Sequence, residues 1–302
     1  MWSGAQARDM YVAVNGAKLY FDVEGAGLVP DGPRMREKPT LLMLHGGPGF
    51  DHTMYKPAFS ALADIAQVIY LDQRGQGRST GEPETWTLAH WGDDVKSFCD
   101  ALGIEKPIVY GGSFGGFVAQ SYATRHPEHP GKLILVSTTA HMEFDAVFAA
   151  FERIGGREAR EIAEAHLLSP SMESRKLYLE KNFPLYRVKP ANPDAGKRAL
   201  LNHAVGLKFG GAQNEQGRMD FRADLHRVCC PVLIMSGDRD PMMPPQFSET
   251  LAACLPPHLV RLERFENCGH GVYSAMTPSA HSPCCASLSW PRAHSAAVAL
   301  EP

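Results

Sequence analysis

A serine set among glycines is the first residue of this chain whose surroundings suggest chemistry. In VYGGSFGG, Ser113 follows Gly111 and Gly112 and precedes Phe114, Gly115 and Gly116. The apolar run before it reads as a buried strand, and FGGFVAQSYATRH after it reads as a helix. A nucleophile on such a turn needs a strained backbone. Its neighbours must be small so that strand and helix can approach closely. The helix start also offers N–H groups and a positive dipole end to a developing oxyanion.

A serine hydroxyl is a weak nucleophile until a base takes its proton. Among thirteen histidines, His270 stands at the end of the last strand-like run, in Cys268-Gly269-His270-Gly271. A loop there can overhang the sheet and bring the imidazole to the serine. The base needs a carboxylate to orient it, and SGDRDPMMP offers Asp238 and Asp240. Asp240, just before Pro241, is the candidate, and Asp238 is expected to bind turn backbone. The glycines of HGGPG (His45–Gly49) lie where a second oxyanion donor is needed. Gly47 and Phe114 are the candidate N–H donors. His45 reads as a structural hydrogen-bonding residue. Asp72, Arg74, Gly75 and Gly77 read as the frame of the next loop.

These residues need a rigid scaffold. YVAVNG and KLYFDVEGAG predict a hairpin around Asn-Gly. TLLML, QVIYL, PIVYGG, KLILV, PVLIMSG and LVRLERF predict six further strands, most of them short apolar runs. Helical segments alternate with them: Leu88, Trp91, Val95, Phe98 and Leu102 recur at helical spacing. The pattern predicts an α/β fold with a mostly parallel eight-stranded sheet flanked by helices. The core is expected over 1–140 and 229–275. Residues 141–228, with REAREIAEAHLL and MESRKLYLEKNF, are expected to form a helical cap. Its aromatic residues (Phe144, Phe148, Phe151, Tyr178, Phe183, Tyr186, Phe209, Phe221) supply apolar surface. The stretch 276–302 is expected to be an irregular, disordered tail.

Composition narrows the function classes. The chain has 302 residues, 44% hydrophobic and 21% charged, with a net charge of −3. No field or basic run points to nucleic acid or to an anionic membrane. The start lacks the pattern of a secretory signal, and the seven cysteines show no metal-site or redox spacing. A cytoplasmic protein with no metal and no cofactor is the expectation.

Taken in order, HGGPG, LDQRGQGRS, GGSFGG, GDRD and CGH resemble the proline iminopeptidase group of α/β hydrolases over about residues 10–273. The resemblance implies the α/β-hydrolase fold, a Ser113–Asp240–His270 triad, Gly47 and Phe114 as oxyanion donors, and a small-molecule or short-peptide substrate. The implied activity is that of a serine aminopeptidase releasing N-terminal proline. The group shares a tryptophan-rich cap segment ending in a glutamate that helps bind the free amine, and this chain has no tryptophan between Trp91 and Trp290. Its cap acids include Glu152, Glu173, Glu180, Glu215 and Asp220. An esterase or lactonase is the alternative. A carbon–carbon bond hydrolase and a non-catalytic small-ligand receptor are more distant ones.

Overall fold

The computed structural model describes residues 10–188 and 195–272. Asn15 and Gly16 turn the chain between β1 (Tyr11–Val14) and β2 (Ala17–Glu24), both at positive φ (46° and 77°), as a tight hairpin requires. A second hairpin, β3 (Leu28–Asp31) with β4 (Arg34–Glu37), forms a separate small sheet. It was not expected, although its Asp31-Gly32 pair is a turn signal.

The buried strands are β5 (Thr40–Leu44), β6 (Gln67–Leu71), β7 (Ile108–Gly112), β8 (Lys132–Val136) and β9 (Val232–Gly237), with β10 (Val260–Phe265) at one edge. The order across the eight strands is β1-β2-β6-β5-β7-β8-β9-β10. The β1–β2 and β2–β6 pairs are antiparallel, and the remaining pairs are parallel. The mostly parallel eight-stranded sheet is therefore as expected. The unbroken apolar runs arise because both faces are covered. Leu42 and Leu44 join one core with Trp91 and Phe117, while Leu41 and Met43 join the other with Tyr55 and Tyr110.

Thr87 caps α1 (Leu88–Ala101) by accepting the His90 N–H at 3.3 Å. Leu88, Trp91, Val95 and Phe98 are buried as their spacing predicts, but Leu102 falls past the helix end and is 39% exposed. Helix α2 (Phe114–Arg125) starts directly behind Ser113 and is buried along almost its whole length. Between β8 and β9 the chain forms α3 (Phe144–Leu168), α4 (Met172–Lys181), α5 (His203–Phe209) and α6 (Glu215–Arg218). Gly156, at φ 78°, breaks α3 into two segments. The only β feature among the described residues of this stretch is an isolated bridge from His141 to Asp220. Helix α7 (Pro245–Cys254) links β9 to β10. The expected tail, 276–302, lies outside the described residues. Among the described residues, no helix is long and apolar enough to cross a membrane.

Candidate active site

Parallel strands put the candidate residues on one edge. Gly47 follows β5, Ser113 follows β7, Asp240 follows β9 and His270 follows β10. All four lie beyond carboxyl ends of strands, where open α/β sheets form their ligand crevices.

Ser113 has φ 53° and ψ −118°, a strained conformation for a residue with a side chain. The surrounding glycines make the turn possible. A Cβ on Gly111 would lie 2.9 Å from the Ala119 Cβ, and one on Gly115 would collide with the Leu44 carbonyl. The turn is tied down by the Ser113 N–H to Val136 O (2.9 Å) and by the Thr138 hydroxyl to Ser113 O (3.0 Å).

The His270 Nδ1 lies 2.8 Å from Oδ2 and 3.0 Å from Oδ1 of Asp240. Asp240 is fully buried, and its Oδ1 also accepts the N–H groups of Met242 (2.9 Å) and Met243 (2.8 Å). A carboxylate so placed accepts a hydrogen bond from Nδ1–H, which keeps the proton on Nδ1 and leaves Nε2 as the basic nitrogen. Asp238 also bonds backbone, though not in its own turn as expected: its Oδ1 accepts the Cys268 N–H, in the loop after β10, at 3.2 Å. The His270 loop is further pinned by the Gly271 N–H to the Ser137 hydroxyl (2.8 Å) and by the His270 N–H to the Tyr186 carbonyl (2.7 Å).

Ser113, Phe114, Gly47 and His270 line one cavity of about 130 Å³. The N–H groups of Gly47 and Phe114 find no acceptor among the described residues. The Phe114 N–H is the first of α2, a donor that no helix can satisfy internally. The HGGPG loop is held from both sides: the Gly49 N–H donates to Gln76 Oε1 (2.6 Å), and Gly49 O accepts from the Asn202 N–H (2.8 Å).

His45 is structural, as expected. Its Nε2 accepts from the Gln73 N–H at 3.2 Å, Nδ1 faces Gly46 O at 3.1 Å, and burial lowers its pKa. The frame residues of the next loop are likewise engaged. Asp72 accepts from His52 Nδ1 (2.7 Å) and the Arg78 N–H (2.9 Å), and Arg74 pairs with Asp94 in full burial at 2.6 Å. Asp51, His52 and Asp72 bring ligand-type atoms within 4.8 Å of one another, the one such group among the described residues. Their atoms are already engaged in loop contacts, including Asp51 Oδ1 with Thr53 (N–H at 3.1 Å) and Oδ2 with the Leu200 N–H (3.1 Å).

The sequence model of the α/β hydrolase fold family matches residues 39–274. The chain belongs to that family. This α/β hydrolase is 28% identical over 275 residues to a proline iminopeptidase, PfmaB, of Pestalotiopsis fici, covering 87% of this chain and 93% of the relative. The proline iminopeptidase of Mycobacterium smegmatis superposes with a TM-score of 0.68 at 22% identity, covering 88% of this chain and 92% of the other. An esterase of Exiguobacterium antarcticum does so with a TM-score of 0.64 at 21% identity, covering 88% and 94%. The two structural likenesses bear on the fold alone.

Of the residues that line the hydrolase's cavity, His166, Arg175 and Arg187 carry no sequence signal, whereas several of the aromatic residues are evident from the sequence. Of the aromatic residues in the β8–β9 stretch, Tyr178, Phe183, Tyr186 and Phe209 line it; Tyr178 and Phe209 also belong to the core, together with Phe148 and Phe151, which do not line the cavity. The Tyr178 and Tyr186 hydroxyls bond at 2.8 Å, and burial raises both phenol pKa values, so both remain protonated. The acids anticipated there point elsewhere. Glu152 pairs with Arg160, Asp220 with Arg222 and Glu180 with Lys181, while Glu173 is exposed. Glu215 caps α1 through the Leu88 N–H at 2.9 Å. Among the described residues that line the cavity there is no aspartate or glutamate, but there are two arginines, Arg175 and Arg187.

Proposed function

We propose that this α/β hydrolase is a serine hydrolase that cleaves an ester or lactone carbonyl through an acyl-enzyme on Ser113. The observation that carries the reading is the contact between Asp240 and His270 Nδ1, with His270 facing the same cavity as a strained Ser113. Ser113 Oγ bonds to the carbonyl carbon while its proton passes to His270 Nε2. The carbonyl π electrons move to oxygen, where the free N–H groups of Gly47 and Phe114 receive the charge. Collapse breaks the bond to the alkoxide, which takes the proton back from Nε2. Water then repeats the cycle on the acyl-enzyme, releasing the acid and restoring Ser113.

A proline-releasing aminopeptidase would use the same steps, and the relative in Pestalotiopsis fici favours it. Its substrate carries a cationic amine, which needs an anionic partner once desolvated. The described cavity lining supplies cations instead. An uncharged or anionic substrate suits it better. The test is labelling by a fluorophosphonate, with turnover of ethyl butanoate and of proline naphthylamide measured side by side. The expected result is Ser113-dependent labelling and ester turnover well above amide turnover. Undiminished labelling of Ser113→Ala removes the serine assignment, and dominant release of naphthylamine restores the aminopeptidase.

A further inference from the structure

Arg175 is a buried cation inside the cavity wall. It is 6% exposed, and no carboxylate lies within ion-pair distance of it among the described residues. Such a group is costly unless something compensates it. The protein compensates it only in part. Nε faces the ring nitrogen Nδ1 of His203 at 3.1 Å and Nη2 donates to Pro48 O at 3.2 Å, while Nη1 has no acceptor among the described residues. The guanidinium lies flat against Gly206, where a Cβ would stand 2.5 Å from Cζ. Glycine at that position makes room for the fork. Burial lowers the Arg175 pKa from its ordinary value, yet a guanidinium keeps its proton in proteins. The adjacent His166 adds no charge at neutral pH, because burial and then Arg175 push its pKa down to about 4. The cavity thus holds one fixed, undersupplied positive charge next to the Gly47-Pro48 segment, with Arg187 exposed beside it.

We propose that Arg175 is the specificity residue for a carboxylate on the substrate, so that the preferred substrate is an ester or lactone whose acyl part carries a second, ionised carboxyl group. The proposal rests on the serine-hydrolase reading for its chemistry, and on Arg175 alone for its choice of substrate. A guanidinium fork matches a carboxylate in shape and in charge.

The test compares monoethyl succinate, glutarate and adipate with ethyl butanoate, pentanoate and hexanoate, following acid release at constant pH. The wild-type kcat/KM for at least one half-ester should exceed that of its neutral counterpart by about tenfold or more, and the ratio should fall with added salt. Arg175→Met should bring that ratio down to about one or below, and Arg175→Lys should restore part of it. A purely structural arginine that only ties α4 to Pro48 would lower both substrates in parallel and leave the ratio unchanged. That result, or a wild-type ratio at or below one for every pair, overturns the proposal. Calorimetric titration of monoethyl adipate into Ser113→Ala provides a measurement without turnover. Saturable binding to Ser113→Ala that disappears in Ser113→Ala/Arg175→Met supports the anion site. No binding, or equal binding to both, overturns it. Binding that depends on Arg175, without Ser113-dependent turnover of any ester, would instead strike the hydrolase reading and leave the anion site standing.

Discussion

The backbone carbonyl of Tyr186 accepts the N–H of His270 at 2.7 Å, and the two rings meet edge to face with centroids 4.7 Å apart. The stretch between β8 and β9 therefore holds the proposed base directly, through one main-chain bond and one ring contact. The same tyrosine bonds Tyr178 on α4. Tyr186→Ala keeps the carbonyl but removes the ring and the hydroxyl. The expected loss is up to about 10²-fold in kcat on a short ester, the scale of misplacing a reacting group by about an ångström, with KM changed less. Tyr186→Phe keeps the ring and should stay within about threefold of wild type on the same scale. Steady-state kinetics on both variants decide this, and equal losses would assign the effect to the hydroxyl.

Asp240 receives three N–H groups, from His270 Nδ1, Met242 and Met243. Asp240→Asn preserves the shape but gives this carboxylate position one face that donates. The Met242 and Met243 N–H groups claim the amide oxygen, so the amide nitrogen turns to the imidazole and favours the wrong tautomer. A fall in kcat of about 10⁴ is expected, with the fold intact. Single-turnover kinetics and a thermal melt separate the two effects. A variant that keeps its rate would place the orienting acid elsewhere.

Two glycines near Ser113 should fail in different ways. At Gly115 a Cβ would collide with the Leu44 backbone where α2 crosses β5, and backbone cannot yield cheaply. Gly115→Ala is expected to lower stability by several kcal/mol, at the upper end of single substitutions. At Gly47, with φ 55°, a Cβ would stand 2.7 Å from the Phe50 ring, which can rotate away. Gly47→Ala should fold, yet shift its N–H and cost about 10²–10³ in kcat. Denaturant melts and kinetics on the two variants should show opposite patterns. A destabilised but fully active Gly47→Ala would take that N–H out of the oxyanion site.

Much of this was legible because it depends on local rules. Asn15-Gly16 dictates a tight turn, and runs such as Thr40–Leu44 cannot be left half in water. The glycines around Ser113 mark a close crossing of backbone. The β3–β4 hairpin does not read as a pair of strands, because both are short and charged, with Leu28 and Met35 left exposed. Leu102 fits the helical period but stands one residue past the end of α1. The carbonyl of Tyr186 could not be read at all, since a peptide oxygen has no sequence signature. Arg175 could not be singled out either. MESRKLYLEK spreads charges around the helix, and which cation turns inward is decided by tertiary packing, here by the space above Gly206.

His166 makes the cavity wall sensitive to acid. Its ring packs on Tyr178 at 4.8 Å between centroids, and its Nδ1 lies 3.3 Å from the Ser174 hydroxyl. Burial, and secondarily the charge of Arg175, lowers its pKa from 6.5 to about 4. The folded protein therefore resists protonation that the unfolded chain accepts. Between about pH 6.5 and 4 the unfolded state binds more protons, so stability must rise with pH across that window. The contribution is fully present above the unfolded value and is lost as pH falls through the folded one. A shift of this size corresponds to roughly 3 kcal/mol at most. Carboxylates elsewhere titrate in the same range, so the slope of wild type alone cannot isolate one ring. Replacing it by glutamine leaves those carboxylates in place. Urea unfolding of wild type and His166→Gln at a series of pH values should give a shallower slope for the variant, with the difference confined to this window. Parallel slopes would mean that the ring is as easily protonated in the fold as outside it, and that the charge on Arg175 is screened from it.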